Sequence, residues 1–113
     1  MNNRSIKIRG GSPDAKPLAG KYAKVDVDSA AAKTLSQLGI GIDAATQWVE
    51  LAVETAALRY RVDGGTPTAT IGFPLPVTAA ATETLMLNRA EATAVKLIAQ
   101  SATGALHVQQ YRD

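Results

Sequence analysis

Apolar and polar residues alternate along much of the chain. In ATQWVELAVE, Val49, Leu51 and Val53 recur at every second position, while Trp48, Glu50, Ala52 and Glu54 fill the other set. That is the pattern of a strand with one buried face. Leu58, Tyr60 and Val62 repeat it against Arg59, Arg61 and Asp63. The glycines of the DGG that follows accept the positive φ of a tight turn, so Gly64 or Gly65 is expected to supply it. Pro67 stiffens the next stretch, TATIG reads as a short β-branched strand ended by Gly72, and FPLPVTAAAT, with two prolines, suits only an edge or an extended connection. Three more strands follow in TETLMLN, AVKLIAQ and ALHVQQY, with Leu85 and Leu87, Val95 and Leu97, and Leu106 and Val108 as their inward pairs. SATG between the last two signals a hairpin.

Upstream, KVDVD adds another strand, and Ser29 to Gly39 fits two descriptions. It is either a short helix, with Ser29 as N-cap, Leu35 and Leu38 at helical spacing and Gly39 as the stop, or a loop and strand that contain alanines. Six or seven short alternating strands with regular turn signals predict an all-β fold, an antiparallel β-sandwich of jelly-roll type. An extended N-terminal arm and one short helix complete the expectation.

Composition narrows what such a fold can do. The length, 113 residues, is that of one domain with a modest core. There is no Cys, which removes disulfides, thiolate metal sites and cysteine nucleophiles, and the single His excludes a multi-histidine metal cage. No apolar run of membrane-spanning length occurs, and the polar start MNNRSIKIRGG lacks the apolar stretch of a secretory signal. The expectation is a chain used without crossing a membrane on its own.

The net charge of +2 conceals a division. Met1 to Lys24 holds six basic residues, Arg4, Lys7 and Arg9 among them, against Asp14 alone, a balance of +5. The remainder has six basic residues against nine acidic ones, a balance of −3. Residues 1–24 therefore read as a basic arm, broken by Gly and Pro and too poor in large apolar residues to fold alone, ahead of a β-sandwich domain over 25–113. Such an arm is either a solvated tail or a segment that orders on an acidic neighbour. Nucleic acid is the poorer partner, because the charges are dispersed and Tyr22 is the one aromatic ring among them.

No catalytic constellation emerges. His107 has no Ser, Cys or carboxylate pair beside it in sequence, and reads as a surface or hydrogen-bonded sheet residue. Glu50 and Glu54 lie four residues apart on one strand, roughly 13 Å by strand rise, too far for a glycosidase pair. GGTPTATIG lacks the Gly-Lys-Ser/Thr ending of a phosphate loop, and the aspartates form no Asp-x-Asp-x-Asp-Gly loop. The expectation is a protein without enzymatic activity, cofactor or metal. A carbohydrate-binding β-sandwich would need a row of exposed aromatics, which one Trp, three Tyr and one Phe supply poorly.

The run ETAALRYRVDGGTPTATIGFPL carries a further signal. Arg59, Tyr60, Arg61, Asp63, Gly64, Pro67, Thr68 and Gly72 stand in the spacing Arg-Tyr-Arg-x-Asp-Gly-x-x-Pro-Thr-x-x-x-Gly, and the chain closes on VKLIAQSATGALHVQQYRD. This resembles small structural proteins of tailed bacteriophages over about the last two-thirds of the chain. The resemblance implies a virion protein assembled in the bacterial host cytoplasm. In that setting it is a homo-oligomeric decoration or cement subunit that contacts the major capsid protein or other virion proteins, with a head–tail junction or tail-fibre role as the alternative. On the strand itself, Asp63 can pair with one arginine and accept turn N–H groups, leaving the other arginine for an interface. Arg59, Arg61 and Trp48, with Arg4, Lys7 and Arg9 of the arm, are the interface candidates, and Asp63, Gly64, Gly65 and Pro67 stabilise the turn.

Overall fold

The computed structural model describes residues 15–78 and 84–113. Within them the chain forms β1 (Lys16–Val27), β2 (Lys33–Thr34), β3 (Trp48–Glu54), β4 (Leu58–Arg61), β5 (Phe73–Leu75), β6 (Leu85–Asn88), α1 (Arg89–Ala94), β7 (Lys96–Ala99) and β8 (Gly104–Arg112). The strands build two antiparallel sheets, ordered β1-β8-β3-β6 and β2-β7-β4-β5. The first strand pairs with the eighth, the second with the seventh, the third with the sixth and the fourth with the fifth. That nesting is one long hairpin rolled over on itself, a jelly roll. The all-β sandwich expected from alternation is therefore what forms.

Alternation decides which faces meet. On β3, Val49, Leu51 and Val53 are fully buried between the sheets, and Leu106 and Val108 of β8 join them directly across the ladder from Val53 and Leu51. Leu58 on β4, Leu97 on β7 and Val27 on β1 close the core from the second sheet and the edge. Each of these larger side chains contributes roughly 1.5–3 kcal/mol by leaving water. Gly104, at the start of β8, is crossed by the backbone of Ala56 so closely that a Cβ there would lie 2.4 Å from the Ala56 carbonyl oxygen.

Four expectations change. SATG is a crossover and not a hairpin, because β7 and β8 belong to different sheets. TATIG is not a strand: Thr68 and Ile71 exchange backbone hydrogen bonds (2.9 and 3.3 Å) around Ala69 and Thr70, which closes a tight turn. The stretch from Ser29 to Gly39 is the loop-and-strand alternative, with β2 followed by a single helical turn. Thr34 and Gln37 cap that turn reciprocally, Gln37 N donating to Thr34 Oγ1 and Thr34 N to Gln37 Oε1 (3.1 and 2.9 Å), and Gly39 ends it at φ +90°. Its Leu35 is buried in the core. The helix that does form is α1, where Asn88 and Glu91 make a capping box.

The fourth change concerns the arm. β1 starts at Lys16 and runs through the boundary expected at Lys24, pairing with β8 from Lys16↔Arg112 to Val27↔Gly104. The ladder slips between Pro17 and Tyr22, where five steps along β1 match two along β8. An edge strand tolerates such a bulge, and Pro17 there removes no N–H that a central strand would need. Lys16, Lys21 and Lys24 are thus residues of the sheet. Arg4, Lys7 and Arg9 lie outside the described residues.

Candidate functional site

The Arg-Tyr-Arg-x-Asp-Gly-x-x-Pro-Thr-x-x-x-Gly motif spans the end of β4 and the loop that joins it to β5, and almost every residue of it has a definite mechanical task. Asp63 accepts two bonds from Arg61, from Nε at 3.0 Å and from Nη2 at 2.6 Å, and a third from the backbone N–H of Gly65 at 3.0 Å. The paired guanidinium, and after it the Gly65 N–H, hold the Asp63 carboxyl down at about 2. Arg59 donates from Nε to the Ala69 carbonyl (3.0 Å) and from Nη1 to the Gly72 carbonyl (2.9 Å). Thr68 Oγ1 accepts from the N–H groups of Thr70 and Ile71, and Pro67 is buried beneath Gly72. Two arginines projecting from the outward face of β4 therefore pin both halves of the loop.

This separates the sequence-derived site residues. Arg61, Asp63 and Gly65 form the expected clamp. One of the two arginines is expected to stay free of the clamp for an interface; Arg59, the one that does not bind Asp63, donates to loop carbonyls, because a tight turn leaves carbonyl oxygens pointing outward and a forked donor satisfies two at once. Gly64 supplies the positive φ (+87°), and Gly65 does not. At Gly65 a Cβ would instead meet the Arg61 guanidinium at 2.3 Å. Gly64→Val is accordingly expected to cost about 1–2 kcal/mol through left-handed strain. Gly65→Val should cost less, because Arg61 can swing away. Urea unfolding of both variants checks this, and equal losses would contradict the assignment of the turn to Gly64.

What the pinned loop presents is apolar. Ile71 is 55% exposed and Phe73 65% exposed, and Val77 lies exposed beyond β5. Phe73 leans on Tyr60, their ring centroids 5.9 Å apart, and with Ile71, Gly72, Arg61 and Asp63 it borders an open hollow of about 350 Å³. Among the described residues β5 is an edge strand, with β4 as its one neighbour in the sheet. Sequence reasoning missed Ile71 and Phe73 because it placed Ile71 inside a strand.

A second feature occupies the outward face of the other sheet. Tyr22 of β1 and His107 of β8 meet through Oη and Nδ1 at 2.5 Å, and His107 Nε2 meets Glu54 Oε1 of β3 at 2.5 Å, with Lys24 Nζ 3.8 Å from the same carboxylate. A neutral imidazole fits by donating from Nε2 to Glu54 and accepting the Tyr22 hydroxyl at Nδ1. A protonated one fits by donating from both nitrogens. The chain therefore laces three strands together in either state. His107, and less strongly Lys24, hold the Glu54 carboxyl below its usual range.

Beside it, Glu50 accepts from the hydroxyls of Tyr111 and Thr84, both at 2.6 Å. Burial, and then the Glu50 carboxylate, push the Tyr111 phenol up to about 12. Trp48 Nε1 donates to Asp113 Oδ1 at 3.1 Å, which sets this expected interface residue on the outward face beside Tyr111. Among the described residues, no three His, Asp or Glu side chains gather as they would around a metal ion. No described helix is long and apolar enough to cross a membrane. Comparison of the chain with protein-family models, with curated proteins and with solved structures finds no match.

Proposed function

We propose that this protein is a structural component of a bacteriophage virion, a decoration or cement subunit that binds the assembled head and stabilises it through subunit–subunit contacts. The observation that carries this reading is the stiff apolar tip. Single exposed apolar side chains are ordinary, but Ile71 and Phe73 stand together on a loop fixed by an ion pair and several hydrogen bonds. A surface already held in shape loses little entropy on docking. The residues that fix the loop, Arg59, Arg61 and Asp63 among them, belong to the motif that resembles phage structural proteins.

Individually such a contact is small. Repeated over a symmetric shell, with neighbouring copies touching one another and the major capsid protein, it gains avidity. The basic residues Arg4, Lys7 and Arg9 ahead of β1 would add a salt-sensitive contact to an acidic neighbour.

Quantitative mass spectrometry of purified virions tests the proposal. The expected copy number is comparable with that of the major capsid protein. A number matching a single ring would point to the head–tail junction or a fibre, and absence from the particle would end the virion reading. In reconstitution with undecorated heads, the double variant Ile71→Ser, Phe73→Ser is expected to keep its fold and lose most of its occupancy. Undiminished occupancy would remove the loop from the interface.

A further inference from the structure

Five aromatic residues in a chain look too few for a binding row. The strand order gathers three of them. Tyr22 on β1, Tyr111 on β8 and Trp48 on β3 stand on three successive strands and share the outward face of their sheet. Trp48 lies directly opposite Tyr111, while Tyr22 lies opposite Gln109, the next outward residue of β8. With neighbouring strands roughly 4.8 Å apart, the row spans roughly 10 Å. That is the scale of a short oligosaccharide.

Each ring is fixed by its polar edge. Trp48 bonds Asp113, Tyr111 bonds Glu50, and Tyr22, 55% exposed, bonds His107. Tyr22 is exposed and Trp48 and Tyr111 are half-buried, so the parts of the three rings left in water are what a ligand would meet, and rings already held in place lose little freedom on binding. Among the rings the surface is polar, with Gln109 and Glu50 on the rung of Tyr22, and Lys24 and Glu54 follow on the rungs beyond it.

We propose that this face binds a neutral polysaccharide chain. A hexose ring has an apolar C–H face and a rim of hydroxyl groups, the same alternation that the protein surface shows. The C–H faces would rest on Tyr22, Tyr111 and Trp48, and the hydroxyls would reach Glu54, Lys24 and Asp113. The carboxylates of Glu50, Glu54, Asp26 and Asp113 outnumber the Lys24 cation here, so phosphate chains and acidic glycans are repelled. A protein partner is better served by the aliphatic tip at Ile71, on the other sheet. The site stands independently of the virion reading.

The test is native affinity electrophoresis of the full chain through gels containing galactomannan or xyloglucan, with alginate as the acidic comparison. It is paired with fluorescence titration of Trp48, the single tryptophan. The expected result is retardation by a neutral polysaccharide and not by alginate, with a saturable change in Trp48 emission. Tyr22→Ala, which removes an exposed ring and should leave the melting temperature nearly unchanged, is expected to weaken binding about tenfold or more. Phe73→Ser should bind as the unmodified protein does. Absence of retardation in both neutral gels, equal retardation by alginate, or full binding by Tyr22→Ala would each overturn the proposal.

Discussion

Gly104→Val is expected to leave the protein largely unfolded under conditions where the unmodified chain is native. A Cβ at Gly104 would lie 2.4 Å from the Ala56 carbonyl oxygen and 2.9 Å from Leu58 Cδ2. Neither neighbour can easily retreat. Ala56 is held by its own N–H to the Glu54 carbonyl, the next carbonyl, that of Ala57, accepts from Gln100 N, and Leu58 is fully buried. Even Gly104→Ala overpacks the crossing, at a cost of about 1–3 kcal/mol. Valine adds two more carbons, against a total stability of only about 5–15 kcal/mol for a typical domain. Gly41→Ala is the control, since a Cβ at Gly41 meets nothing within 4 Å. It should stay within about 0.5 kcal/mol of the parent. Thermal melts followed by circular dichroism decide the matter, and a Gly104→Ala protein melting with the parent would refute the packing argument.

The second large effect is expected at Gln110. Its side chain is 3% exposed and points into the core beside fully buried Thr46. There Oε1 accepts from the Asp43 N–H (2.9 Å) and the Thr46 hydroxyl (2.5 Å), and Nε2 donates to the Gly41 carbonyl (2.9 Å). Gln110→Leu preserves the volume and strands all three partners. The cost of about 1–3 kcal/mol for a buried group left without a bond applies in full to the Thr46 hydroxyl and only in part to the half-buried Asp43 N–H and the carbonyl of exposed Gly41, so the loss should be roughly 2–4 kcal/mol. Thr46→Val removes one of those partners. The double variant should therefore be more stable than the sum of the two single losses predicts, because the hydroxyl that Gln110→Leu abandons is no longer present. Strict additivity in urea unfolding would show that Gln110 does not organise this loop.

Gln110 also marks where the sequence could have been read further. In ALHVQQY it falls in the inward set with Leu106 and Val108, and a polar residue at an inward position demands partners. The alternation that revealed β3, β4 and β8 was legible because one face of each is dry and the other wet. The capping box of α1 was present as Asn88-x-x-Glu91, but six residues of helix inside a strand-rich stretch offer no periodicity to find. The loop partners of Arg59 went unseen because they are backbone carbonyls of a turn, which have no letter in the sequence. The gathering of Tyr22, Tyr111 and Trp48 was invisible for a different reason: it depends on β8 lying between β1 and β3, and long-range strand order leaves no local trace.

That same placement governs how the chain can reach its native state. β8 is the most C-terminal strand and an interior strand of its sheet, joined to β1 on one side and β3 on the other. Until it has emerged from the ribosome, β1 has no partner in that sheet, and the apolar faces of Val49, Leu51 and Val53 lack Leu106 and Val108. That sheet therefore cannot be completed strand by strand during synthesis. It must wait and then close a loop between β1 and β8 that encloses most of the described chain, a high-contact-order step of the kind that makes β-sandwiches slow to fold. During the wait, β3 can have β6 on one side but keeps an open edge on the other, and the nascent chain depends on prompt completion or on chaperones to avoid pairing with other copies of itself.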